Sequence, residues 1–336
     1  MGEALLMNHG GMRFRELVVL QNPEKLTYIC GTGISDYIDL TGAKIAARLG
    51  VDLVSIDNSE LTYSAAAVTA GTTAIVVSAT IGHTTKSVSI PITTLTPDPV
   101  LNNNSWDIIA TVAKWGKASE AWDVGDEKTV TIGGSDVVFR IIGFGHDDLH
   151  YSETDSIYVR KNEGHAGITF QAKETAGTAA MRSSNSDTAL YADNWKTSTM
   201  RLSTLVTYYN ALPTALKDVI KTITKQTVIG GYGSANASMI DETADQVFLL
   251  SLPEIADTST YSVSNYVSAA EIAASSLYDW YDDNLPPTPG VWIWTRSPHD
   301  PTTCSEGNHY ISISGNGNLN AANVTSLMNY YPAFCV

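Results

Sequence analysis

The sequence predicts an α+β protein in two parts, an all-β sandwich followed by a larger mixed domain. Three observations carry this. Short alternating runs separated by turn residues fill residues 23–97, the pattern of a sandwich. Composition then shifts across Thr94, Thr96, Pro97, Asp98 and Pro99, where two prolines among polar residues predict a semi-extended linker at residues 98–102. Beyond it, helix caps and strand patterns are interspersed over residues 103–336, as in an α+β domain.

Taken in order, residues 1–22 are mixed in character and are expected to form an N-terminal arm, for attachment or as an added strand. Strands are expected at residues 26–30, 43–47, 75–80 and 87–92, with turns at Gly31, Gly33, Gly50, Gly71 and Gly82. Asn104 and Ser105 cap a predicted helix with Trp106, Ile109, Val112 and Ala113 on one face. Residues 128–132 and 137–144 flank Gly133 and Gly134 and read as a hairpin. Helices are expected over 201–210 and 214–224, the second opened by Pro213. Ser268 with Glu271 matches a capping box and predicts a helix running through Ile272, Leu277 and Trp280. Three prolines between Asn284 and Gly290 end it and deliver the chain to an apolar strand, Val291, Trp292, Ile293 and Trp294.

That strand and a second apolar block, residues 330–336, bracket a polar segment. It has no Lys, Arg, Gln or Trp from Pro298 onward. Tyrosine offers contact area at low entropic cost, while Ser, Asn and Gly offer adaptable hydrogen bonding, so the segment reads as a recognition face. The alternative is a run of hairpin turns that only closes the sheet. The candidate ligand-binding residues are His299, Asp300, Thr302, Thr303, Ser305, Asn308, His309, Tyr310, Ser312, Asn320, Ala321, Asn323, Thr325, Ser326, Asn329 and Tyr330. Trp292, Trp294, Pro332 and Phe334 are expected beneath them as buried scaffold.

The run Trp294-Thr295-Arg296-Ser297-Pro298, the turn from Gly315 to Gly317 and the terminal Pro332-Ala333-Phe334 resemble a C-terminal domain of many phage tail-associated and bacterial surface proteins. That domain is often described only as of unknown function. Asn194-Trp195, Ser198, Arg201, Leu212-Pro213 and residues 245–251 with Glu254 extend the resemblance over roughly residues 103–336. It implies a C-type-lectin-like fold of the formylglycine-generating-enzyme type. Tyr331 stands where that family usually has Arg, which puts the role of that Arg in doubt here. Lys25-Leu26-Thr27-Tyr28, Leu40-Thr41-Gly42 and Ser87-Val88-Ser89-Ile90 similarly resemble bacterial immunoglobulin-like domains, which serve as spacers or stalks. Some lectin-like relatives are variable proteins diversified by retroelements that mutate adenines in a C-terminal repeat. An asparagine codon so treated cannot yield Lys, Gln or Trp, and over residues 299–331 only Glu306 and Met328 fall outside the set it yields.

Other chemistry is poorly supported. A net charge of −15 argues against nucleic acid and anionic membranes as partners. Cys30, Cys304 and Cys335 lack metal or redox spacing, although Cys304 and Cys335 could pair if their strands are adjacent. No apolar run predicts a signal peptide or membrane insertion. His146, Asp147, Asp148 and His150 could converge on a metal, but a solvated turn is the plainer reading. His299 or His309 could serve a hydrolase, yet no serine elbow or paired-carboxylate pattern accompanies them. The chain is therefore expected to be a non-enzymatic receptor-binding or surface-display protein that needs no metal or cofactor. It would sit on a virion or cell surface, bind a host ligand through the C-terminal face and contact other virion proteins through its N-terminal region. By analogy it would be a homo-oligomer, with a trimer favoured. The alternative is a structural or decoration protein of the virion with no ligand of its own.

Overall fold

A computed structural model describes residues 13–63, 67–184, 195–229, 238–258, 261–284, 291–299 and 309–336. The chain divides into two compact units, Met1–Pro97 and Asp98–Val336.

In the first unit Ala74–Ile81 alternates buried and outward residues, as a strand with one face on a core must. It lies between Thr62–Tyr63 and Thr84–Pro91 in a three-stranded sheet. A second such sheet has the order Phe14–Gln21, Lys44–Leu49, Asp52–Ile56. Of the two readings of the N-terminal stretch, an attachment arm or an added strand, the strand forms from Phe14 onward: Phe14 and Leu17 enter the core and the strand pairs antiparallel with Lys44–Leu49. Thr93–Leu95 runs parallel to Thr27–Ile29, and Asp36–Tyr37 pairs with Ala67–Val68. Lys25 and Asp36 form a buried ion pair, and Asp36 Oδ2 also accepts from the Ile29 amide at 2.8 Å.

In the second unit the longest α-helix, Trp106–Lys114, opens on Ser105, whose hydroxyl accepts from the Ile108 amide. A four-stranded sheet runs Glu127–Ile132, Ser135–Gly143, Thr169–Ala172, Ala333–Cys335. Phe334 on its last strand meets Trp106, Phe139 and Phe170, with ring centroids 5.0–5.9 Å apart. The same strand end is clasped from both sides. Val336 exchanges backbone hydrogen bonds with Ile168, and its carbonyl accepts from the Tyr158 hydroxyl at 2.8 Å. A five-stranded sheet has the order Thr178–Ala179, Met328–Asn329, Trp292–Pro298, His309–Ser314, Leu319–Asn323. Ile223–Val228 pairs with Ile240–Asp245. Asp245 also takes the Trp195 indole at 3.0 Å and the Arg201 guanidinium at 2.6 Å.

The expectation of an α+β chain, an immunoglobulin-like sandwich followed by a C-type-lectin-like domain, is not met. Among the described residues strand accounts for 38% and helix for 22%, spread over many small sheets with a half-barrel. The helices are shorter than their caps suggest. Residues 214–224 give only Thr214–Lys217 before the chain enters the Ile223–Val228 strand. The helix opened by Ser268 ends at Ala273, and a separate one covers Asp279–Asp283. Residues 201–210 become a π-turn over Met200–Thr204 followed by Leu205–Ala211. A cap fixes where a helix starts, whereas its length depends on what packs beside it.

Candidate functional site

The Trp292–Pro298 strand carries two sites at once. It supports the polar segment, and its register slips between Trp294 and Pro298, where Thr295, Arg296 and Ser297 are all fully buried. An extra residue in one strand re-aims the side chains around it. Here the slip sends a guanidinium into the interior. Arg296 forms a two-pronged pair with Glu254, with Nη2 donating to Oε1 at 2.8 Å and Nη1 contacting Oε2. Its remaining donors reach the Leu249 carbonyl at 3.1 Å, the Thr227 hydroxyl at 3.2 Å and the Gln226 carbonyl at 3.4 Å. Every face of the fork is used, which is what permits a charge of this size inside.

Glu254 is held by its own helix. In Leu252–Ile255 the Ser251–Glu254 capping box is complete, the Ser251 amide donating to Oε2 at 2.8 Å. Lys225, inward-facing on Ile223–Val228, donates to Glu254 Oε1 at 3.0 Å and also contacts Asp147. Asp147 accepts from Thr169 at 2.5 Å, from the Tyr278 hydroxyl at 2.9 Å and from the Cys335 thiol at 3.2 Å. Ser297 donates to Glu271, whose other oxygen accepts the Val228 amide at 3.3 Å. An open cleft of about 240 Å³ lies over this cluster, walled in part by His146, Gln226, Ser275 and Ser276.

Electrostatics separate the carboxylates. Burial would raise Glu254, but Arg296 and then Lys225 outweigh it and hold the group down to about 2. Burial likewise opposes ionisation of Asp147, yet Lys225 and His146 keep it well below the usual carboxylate range. Burial pushes Glu271 up to about 7, offset only in part by Ser297 and Arg296. The Cys335 thiol is driven well up by burial and then by Asp147, so it is no nucleophile. His146 is lowered by burial, but Asp147 outweighs this and raises it overall.

A pH dependence follows. Glu271 has its ordinary value of 4.5 when unfolded and about 7 when folded. Its contribution is fully present below 4.5 and disappears as pH rises through 7, amounting to about 3 kcal/mol. His146, also raised, acts in the same sense. Glu254 and Asp147 act oppositely, their contributions being lost as pH falls below the ordinary carboxylate values. Denaturant unfolding from pH 3 to 8 is expected to show greatest stability near pH 4.5–5, with a decline toward pH 8 that Glu271→Gln largely removes. An unchanged decline in that variant would remove Glu271 as its source.

The polar segment is split by the fold. Asn320 and Thr325 are exposed, and His299, His309, Ala321, Asn323, Ser326 and Asn329 are half-buried. Tyr310 and Ser312 are corrected: both are fully buried, Tyr310 lying opposite Pro298 and Ala322, and Ser312 opposite Trp294 and Asn320. Tyr330 is also buried. Asp300, Thr302, Thr303, Ser305 and Asn308 lie outside the described residues, as does Cys304. Trp294, Pro332 and Phe334 are buried, but Trp292, at the outer end of its strand, is 36% exposed. The turn adds two exposed residues that the list of candidates lacks, Asn316 and Asn318. Gly317 between them has φ of +78°, and a Cβ there would lie 2.4 Å from the Tyr261 ring. Only glycine fits that turn.

The His146–His150 stretch does not converge. Asp148 pairs with His165 at 2.9 Å and His150 with Ser152 at 2.8 Å, while Asp147 turns inward. Among the described residues no group of three or more His, Cys, Asp or Glu is placed to hold a metal ion. None of their helices is long and apolar enough to cross a membrane.

Residues 158–336 match a family described as a domain of unknown function, DUF6273. The chain belongs to this family. The matched span opens at Tyr158, the residue bonded to the Val336 carbonyl, so both ends of the DUF6273 match meet in the structure. Lys225, Glu254, Glu271, Tyr278 and Arg296 fall within the match, and Asp147 precedes it. No curated protein and no solved structure matches the chain.

Proposed function

We propose that the DUF6273-containing unit is a non-enzymatic binding module that presents part of its C-terminal polar segment to a ligand on a host-cell surface, protein or glycan. One observation carries this reading. Asn316, Asn318, Asn320, Thr325 and Leu327 are exposed within a few residues of one another in sequence, on a segment whose other described positions are buried or half-buried. Amide and hydroxyl groups on short turns between fixed strands suit recognition because little freedom is lost on contact. The buried Arg296–Glu254 pair supports the same reading, since it fixes the strand beneath. Display on a virion or cell surface in several copies would raise a weak single-site affinity.

The test combines Asn318→Ala, Asn320→Ala, Thr325→Ala and Leu327→Ser in one variant. Each exposed change is expected to alter stability by less than about 0.5 kcal/mol. Thermal melts should match the parent chain, while binding to host cells or to a glycan array is abolished or redirected. A variant that melts normally and binds as before would place the recognition face elsewhere, and a parent chain that binds no host cell or glycan would favour a purely structural role. One that fails to fold would show that these side chains are scaffold.

A further inference from the structure

Lys225 has no part in presenting the polar segment. Arg296 matches the charge of Glu254, which leaves Lys225 as the cation that balances Asp147. Lys225 is held between the two carboxylates, its side chain 3% exposed against 2% for Asp147 and 4% for Glu254. Its ammonium sits 4.2 Å from the Phe248 ring centroid and donates to the Tyr278 hydroxyl at 3.0 Å. An amine pressed onto one carboxyl, with a second carboxylate on the same nitrogen and two aromatic rings beside it, is an arrangement for condensation.

We propose that Lys225 and Asp147 are the site of a self-formed amide cross-link, with the Tyr278 hydroxyl relaying a proton between them and Glu254 positioning the amine. One ammonium proton passes directly to the Asp147 carboxylate oxygen that Nζ contacts, leaving a neutral amine and a neutral carboxylic acid. Nζ attacks Asp147 Cγ, and the Tyr278 O–H, 2.9 Å from both Asp147 oxygens, donates to the oxygen on which negative charge develops. The nitrogen gives up a second proton through the Tyr278 hydroxyl, which accepts from Nζ at 3.0 Å, to the departing oxygen. The C–O bond breaks, one water leaves and an Nζ–Cγ amide remains. No oxidant, metal or co-reactant enters the balance. Holding both groups in contact replaces an encounter in solution with a reaction within one fixed pair. Condensation also removes two opposite charges from the interior, leaving Arg296 and Glu254 as a balanced pair.

The bond would join the loop after Ser135–Gly143 to the Ile223–Val228 strand, two elements of the same unit. The experiment is intact mass spectrometry of the full chain under denaturing conditions, followed by proteolysis and peptide mapping. The expected result is a chain lighter by one water, with a branched peptide joining Asp147 to Lys225. Lys225→Ala and Asp147→Ala should each restore the full mass. Tyr278→Phe should slow formation, so that freshly made chain contains the uncross-linked form. Wild-type chain that keeps the full mass after prolonged incubation overturns the proposal, whether or not any variant folds. So does a water loss that maps elsewhere, for example to Lys25 and Asp36. Neither outcome bears on ligand binding by the polar segment.

Discussion

Arg296→Ala is expected to destabilise the Asp98–Val336 unit by about 3–5 kcal/mol, the range for breaking one side of a buried ion pair. The loss is more than one attraction. Glu254 would keep a negative charge fully inside, and the carbonyls of Leu249 and Gln226 would lose donors. Arg296→Lys should recover little, because an ammonium cannot reproduce a planar fork that serves Glu254, Thr227 and two carbonyls together. Arg296→Met combined with Glu254→Leu should be less damaging than Arg296→Ala alone, since no unpaired charge remains. Urea unfolding followed by fluorescence measures all three. A single variant within about 0.5 kcal/mol of the parent would show that the pair contributes nothing net.

Phe334→Ala is expected to cost about 3–5 kcal/mol through the cavity it leaves. The ring touches Phe139 at 5.0 Å, Phe170 at 5.5 Å and Trp106 at 5.9 Å between centroids, joining the four-stranded sheet to the Trp106–Lys114 helix. Trp292→Ala provides the contrast. That side chain is 36% exposed, so its removal should cost clearly less than removal of Phe334. Equal losses at the two positions would mean that burial does not rank these residues.

Much of the local structure was legible. The alternation of Ala74–Ile81, the Ser105 cap and the hairpin joining Glu127–Ile132 to Ser135–Gly143 all form where the sequence places them. Helix lengths were not legible. Leu216, Val219, Ile220 and Ile223 fit a helical stripe equally well as a helix end followed by a buried strand, and pairing with Ile240–Asp245 decides for the strand. At Ser268 only half of the expected box forms: the hydroxyl accepts from the Glu271 amide, but the Glu271 carboxylate is taken by Ser297 and Val228. The recognition face was read from composition. Strand pairing, invisible to composition, sends Tyr310 and Ser312 inward. The charge cluster left no spacing signal, because Asp147, Lys225, Glu254 and Arg296 come from four separate stretches. One clue was present, an arginine two residues beyond the apolar run Val291-Trp292-Ile293-Trp294, close enough to share its strand.

The turn at Gly317 sets a limit on how this surface can evolve. Asn316 and Asn318 point outward on either side of a residue whose identity the Tyr261 ring dictates, and Tyr310 to Gly315 just before them are buried throughout. Heritable novelty is therefore rationed by position. Codons for a few outward side chains can drift without penalty, while substitutions between them are filtered by folding before any ligand is met. A lineage exploring new partners through this segment would draw on a small alphabet of sites, and its repertoire would grow by combining them.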